Sequence, residues 1–266
     1  VEPNLYDAYS PTEIANRIEN LGMQKSKYST IRIFVLAILA GAFISIGAVF
    51  YLVVINESNF GFGITRLFGG LAFSLGLILV VVAGAELFTG NNLMAMAWAD
   101  RKITTKDLLR NWTLAYAGNV VGCLLTVILI WFAGIDELNN GALGKSAVQI
   151  ANSKLSLDFS EAFARGILCN ALVCIAVWLV MACRSVTDKI LAIIFPITAF
   201  VTMGFEHSIA NWFFLPYAKF LDSTIPLTES LKNIAAVTAG NLVGGTILVA
   251  GIYYIAYVRK SSGEKN

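Results

Sequence analysis

The chain reads as an all-α integral membrane protein: six transmembrane helices arranged as an inverted three-helix repeat, with helices 2 and 5 broken. Three observations predict this. Of 266 residues, 57% are hydrophobic and 14% charged, and the mean hydropathy is +0.72. Six apolar stretches are each long enough to cross a bilayer, which takes about 20 residues at about 1.5 Å of rise per residue. Finally, Glu86-Leu87-Phe88-Thr89-Gly90-Asn91 returns 120 residues later as Glu206-His207-Ser208-Ile209-Ala210-Asn211, with the Glu, a small residue and the Asn in register.

Residues 1–29 are polar and lack the charged start, apolar core and cleavage site of a secretory signal peptide. Within them, Ser10-Pro11-Thr12-Glu13 has the form of a capping box with proline at the first helical position. Ile14, Ile18 and Leu21 then share one face, which predicts an amphipathic helix on the membrane surface or against a neighbouring subunit, ended by Gly22. Amphipathicity alone does not separate a passive anchor from a gate.

The first span, 31–55, directs insertion. The second stretch, 67–99, is longer than one straight crossing needs, and Glu86, Thr89, Gly90, Asn91 and Asn92 interrupt it. A broken helix fits better than a continuous rod. Lipid cannot satisfy freed backbone groups, so such a break must be buried in protein or line a cavity. Spans 112–133 and 162–183 carry no comparable interruption, 190–215 repeats the break at Glu206 to Asn211, and 234–258 closes the set.

Six spans put both termini on one face, and basic residues indicate which. Arg17, Lys25, Lys27, Arg32, Arg101, Lys102, Lys106, Arg110, Arg184, Lys189, Arg259, Lys260 and Lys265 fall on the side of the termini. Arg66, Lys145, Lys154, Arg165, Lys219 and Lys232 fall opposite, so the termini and the 260–266 tail are expected in the cytoplasm. A net charge of +2 gives no argument for nucleic acid. Cys123, Cys169, Cys174 and Cys183 all lie in or at the ends of apolar spans without a C-x-x-C pair, so neither a disulfide framework nor a metal site is suggested.

The repeat also links Arg110-Asn111 and Ala117-Gly118-Asn119 to Lys232-Asn233 and Ala239-Gly240-Asn241. Each copy holds three spans, an odd number, so the second enters from the opposite side; such halves place a transport site near mid-membrane. Gly118-x-x-x-Gly122 and Gly240-x-x-x-Gly244 mark close helix packing.

Glu86 and Glu206 occupy equivalent places, which favours a role in accepting hydrogen bonds at the breaks over a proton relay. Asn91, Asn119, Asn211 and Asn241 are expected to tie the breaks to neighbouring helices. His207, the only histidine, departs from the symmetry because its counterpart Leu87 is apolar. A pore-facing donor opposite Thr89 is favoured over a buried histidine satisfied by a neighbour. Of the bulky apolar residues nearby, Phe73, Leu77, Leu87, Phe88 and Phe200 include candidates for hydrophobic constrictions.

Taken together, Ala85-Glu86-Leu87-Phe88-Thr89-Gly90-Asn91, Gly166-Ile167-Leu168-Cys169-Asn170 with Val173-Cys174, Gly204-Phe205-Glu206-His207-Ser208-Ile209-Ala210-Asn211, and Gly240-Asn241 resemble the formate/nitrite transporter family, formate channels most of all. The resemblance covers essentially all six spans. It implies an aquaporin-like protomer in a homopentamer in the bacterial inner membrane, with residues 30–259 as the channel body and repeats at about 30–134 and 160–259. It also implies a passive or proton-linked pore for formate or, alternatively, nitrite or hydrosulfide, with no cofactor and no enzymatic activity. Aquaporins themselves lack support, since neither break carries Asn-Pro-Ala. Carried onto this chain, the family pattern puts His207 and Thr89 at the pore centre, Asn170 beside the pathway, and Lys154 near the periplasmic entrance. Leu77, Leu87, Phe88, Phe200 and Val173 would form the constrictions. A membrane enzyme using Glu206 and His207 as an acid/base pair is the remaining alternative, but no nucleophile, metal set or cofactor motif lies nearby.

Overall fold

The computed structural model describes residues 8–259; the expected 260–266 tail lies outside these. Helix α1 (Pro11–Ser26) begins with the expected capping box: Ser10 accepts from the Glu13 N–H while the Glu13 carboxylate accepts from the Ser10 N–H. It does not end at Gly22. The helix continues through that glycine to Ser26, and the missing β-carbon lets Ala97 and Met94 pack closely against it.

Among the described residues, six helices are long and apolar enough to span a membrane. They are α2 (Thr30–Ile55), α3 (Phe62–Val82), α6 (Thr105–Phe132), α8 (Phe159–Ala182), α9 (Val186–Met203) and the final span Leu227–Tyr257. The final span comprises α11 (Leu227–Val243), a π-helical stretch Gly244–Gly251 and α12 (Ile252–Tyr257).

Both breaks are present. Helix α3 stops at Val82; the chain turns through Gly84 at φ +82° and resumes as α4 (Phe88–Asn91), a 3-10 turn (Asn92–Met94) and α5 (Ala95–Ala99). Helix α9 likewise stops at Met203, turns through Gly204 at φ +74°, and resumes as α10 (Ser208–Leu221). A positive φ at these turns favours glycine, which lacks the β-carbon that would clash.

The packing repeats as well. Helix α6 lies against α2, and α11 against α8, with backbones in close approach. A β-carbon on Gly122 would collide with the Ile38 carbonyl, and one on Gly244 with the Ile167 carbonyl.

Helix α1 buries Ile14, Ala15 and Ile18 with Val249 and Ala250 of the last span, so the two described chain ends share a face. Glu19 is almost fully buried there and ion-paired to Lys102 at 2.6 Å, which also contacts Asp100 at 3.0 Å. Burial raises the Glu19 carboxyl above its ordinary range, outweighing the pull of Lys102. On the opposite face, a helix too short and polar to count among the spans, α7 (Ala142–Leu155), packs against α10.

Candidate functional site

Each break is held by a glutamate, three asparagines and a lysine. Asn119, from α6, accepts from the Phe88 N–H at 2.9 Å and donates to the carbonyls of Ala37 (2.8 Å) and Glu86 (2.9 Å). Asn241, from α11, accepts from the Ser208 N–H at 2.9 Å and donates to Gly166 (2.8 Å) and Glu206 (3.0 Å). These amides supply partners that lipid cannot.

The carboxylates follow the same plan. Asn91 donates to Glu86 (2.7 Å) and to Asn111 (2.8 Å), and Asn211 donates to Glu206 (2.7 Å) and to Asn233 (2.9 Å). Lys154, on the last turn of α7, grips both Glu206 oxygens at 3.0 and 2.9 Å. Its counterpart is Lys25, which reaches from α1 to Glu86 at 3.0 Å and to Asn91 at 2.7 Å. Helices α1 and α7 therefore do equivalent work at opposite faces. Lys25 was legible in the sequence only as a basic charge. Asn111 and Asn233, by contrast, lie at matched places in the repeat and were findable there.

Between the breaks, Thr89 Oγ1 and His207 Nε2 meet at 3.0 Å, and both residues are buried. His207 is also the N-cap of α10: its Nδ1 accepts from the Ala210 N–H at 3.2 Å. That nitrogen must hold a lone pair, so the ring proton sits on Nε2 and points to Thr89. At the first break the equivalent cap, Leu87, contributes no side-chain hydrogen bond.

Two cavities approach this contact. One, of about 190 Å³, is lined by His207, Phe73, Phe200, Lys154, Arg66 and Arg165, among others. The other, of about 340 Å³, opens on the face of the termini and includes Lys25, Leu77, Leu87 and Gly90 in its wall. The Phe73 and Phe200 rings meet edge-on with centroids 5.8 Å apart, and Phe200 stacks on His207 at 6.1 Å. His207 thus lines the first cavity, while Leu87 and Gly90, which flank its partner Thr89 in the chain, line the second, and each cavity has apolar side chains in its wall.

Four expected pathway residues line neither cavity. Thr89 is fully buried and reaches the first cavity only through its contact with His207. Asn170 is fully buried and spends its amide hydrogens on the Asn92 side chain and the Asn241 carbonyl, both at 2.7 Å. The Phe88 ring packs edge-on against Tyr116 at 4.9 Å. Val173 is buried in the central apolar cluster. Conversely, Arg66 and Arg165 entered the sequence reading only as loop charges, because their convergence requires α3, α8 and α9 to be assembled.

The family model described as formate/nitrite transporter matches residues 12–255. The formate channel FocA of Escherichia coli (strain K12) is 38% identical over 278 residues, spanning 97% of this chain and 98% of that protein. A solved pentameric formate channel with formate bound superposes with a TM-score of 0.78 at 41% identity, covering 86% of this chain and 98% of that one. An FNT family ion channel, 24% identical, shares the fold with a TM-score of 0.84 over 92% of this chain and 99% of its own.

Proposed function

The chain belongs to the formate/nitrite transporter family, and on that premise we propose that it is a passive pore for formate across the bacterial inner membrane. It is a multi-pass membrane protein, not an enzyme. In this reading residues 30–259 form the channel body, with repeats at about 30–134 and 160–259. The protein assembles as a homopentamer with one pore per protomer and has both termini in the cytoplasm. The observation that carries the reading is the buried contact between Thr89 and His207, with His207 lining one cavity and Leu87 and Gly90, which flank Thr89, lining the other.

An anion entering from either side must leave water before it reaches the other vestibule, and a bare charge pays heavily for that. The His207 Nε2–H and the Thr89 hydroxyl are the donors that can meet it there. Such charge-assisted hydrogen bonds are about twice as strong as neutral ones. Glu86, Glu206, Asn91, Asn119, Asn211 and Asn241 hold the breaks in place, while Lys25 and Lys154 neutralise the two carboxylates and keep them from repelling the anion.

The hydrogen bond to Nδ1 favours a neutral donor over proton delivery. If the ring gave up its Nε2 proton it would become an imidazolate, and if it took a second proton at Nδ1 it would lose the Ala210 cap. The test is flux into reconstituted vesicles with internal pH and membrane potential recorded together. Formate entry that moves charge and leaves internal pH unchanged is the expected result. Entry with one proton per formate would defeat the donor mechanism, and glycerol flux without anion flux would defeat the assignment. Nitrite or hydrosulfide moving faster than formate would reassign the substrate within the family.

A further inference from the structure

We propose that Arg66 and Arg165 form a binding site for a single carboxylate at the mouth of the vestibule on the His207 side, where the anion waits before it enters the constriction. The inference rests on the reading of the chain as an anion pore and names a site which that reading does not require.

Two guanidiniums converge on the glycine turn of the second break. A β-carbon built on Gly204 would stand 3.0 Å from Arg66 Nη2 and 4.0 Å from Arg165 Nη1. The two nitrogens are therefore at most 7 Å apart, since one point reaches both at those distances. One carboxylate can bridge such a gap with a charge-assisted hydrogen bond of about 2.8 Å on each side. Both residues line the same cavity as His207 and Lys154.

The charges there are unequal in their commitments. Lys154 is paired with Glu206. Among the described residues neither Arg66 nor Arg165 forms an ion pair with a carboxylate. Arg66 is anchored: its Nε and Nη2 donate to the carbonyls of Thr202 (2.7 Å) and Val201 (2.9 Å) in the last turn of α9. That fixes one guanidinium and covers the negative end of a half-helix which would otherwise face an approaching anion. Arg165, on α8, makes no side-chain hydrogen bond among the described residues, which leaves its fork available for ligand.

The repeat supplies an internal control. Gly84, the equivalent turn of the first break with nearly the same φ, has nothing within 4 Å of its would-be β-carbon. Scaffold symmetry therefore does not call for the arginine pair. Like His207 it is an addition to one half only, and it lies on the same side as the histidine.

The test uses the intact protein, its Arg165→Leu variant and the conservative Arg165→Lys. Binding is read in detergent by line broadening of 13C-formate, which does not depend on conduction. Transport is read as formate flux against concentration in vesicles of known orientation. Arg165→Leu is expected to weaken binding at least fivefold. It should raise the half-saturating concentration at the His207-side mouth by a similar factor and leave maximal flux within twofold of the parent, as expected when binding common to ground and transition states is lost. Arg165→Lys should recover most of the difference, and added salt should shrink it. Broadening that is absent in the parent protein, or unchanged within twofold in Arg165→Leu, would overturn the site, even where formate flux upholds the channel. Broadening that depends on Arg165 in a protein that conducts nothing would uphold the site and remove the channel reading.

Discussion

Replacing His207 with asparagine separates its two jobs. Its Nδ1 caps α10 through the Ala210 N–H, and its Nε2–H reaches the buried Thr89 hydroxyl. Asparagine is among the best N-cap residues, so His207→Asn keeps the cap while withdrawing the donor from the Thr89 position. A hydrogen bond to a charged group contributes about 1.5–3 kcal/mol. At about 1.4 kcal/mol per tenfold in rate, loss of that bond to a passing anion slows formate by roughly 10- to 150-fold. Thermal stability should change by less than about 1 kcal/mol, because the cap survives. His207→Leu, which copies the counterpart Leu87, should slow flux to a similar degree and also cost about 1 kcal/mol of stability from the lost cap. The assay is stopped-flow formate entry into vesicles beside a melting curve in detergent, with glycerol permeation to detect a pore simply widened by the smaller side chain. Formate flux within threefold of the parent in His207→Asn, with glycerol still excluded, would refute the donor role.

Three further expectations concern the scaffold. Lys25→Met strands the buried Glu86 carboxylate and should cost about 3–5 kcal/mol in a melting experiment, with Lys25→Met/Glu86→Gln recovering most of it; a single-variant loss below 1 kcal/mol would contradict the pairing. Because burial raises the Glu19 carboxyl, the docked α1 binds that proton more tightly than a released α1 would. Its docking should therefore strengthen as pH falls from neutral towards the ordinary carboxylate value of 4.5, and that gain is lost as pH rises back through the Glu19 range. Distances from a label at exposed Asn16 to the helical body would report it, and acid release of α1 that Glu19→Gln abolishes would contradict it. Gly122→Ala drives a methyl into the Ile38 carbonyl and should destabilise the protein by about 1–3 kcal/mol or more, whereas Gly61→Ala, with open space around it, should stay within about 0.5 kcal/mol on the same melting curves.

Much of this protein was readable without coordinates, because lipid imposes a narrow set of rules. Spans must be long, apolar and helical, so hydropathy alone located all six. Two polar interruptions at equivalent places in a duplicated sequence could only be breaks buried in protein, and Glu86, Glu206 and the four asparagines were assigned to them on that ground. His207 stood out because the repeat carries leucine in its place.

Other features depend on residues distant in sequence meeting in space. Helix α7 is short and partly polar, so hydropathy did not mark it as a span, and Gly22 serves close packing against Ala97 and Met94 and not a helix end. The partner of Lys25 lies 61 residues away and follows only from where α1 docks. The tautomer of His207 was set by its place at a helix start, where one ring nitrogen is taken by a backbone N–H. Composition and periodicity determined which segments lie in the membrane and where they break. Only the folded chain decided which charges are neutralised, which side chains reach the two vestibules, and that Arg66 and Arg165 converge beside one glycine, because those outcomes depend on distances between segments that the linear order leaves free.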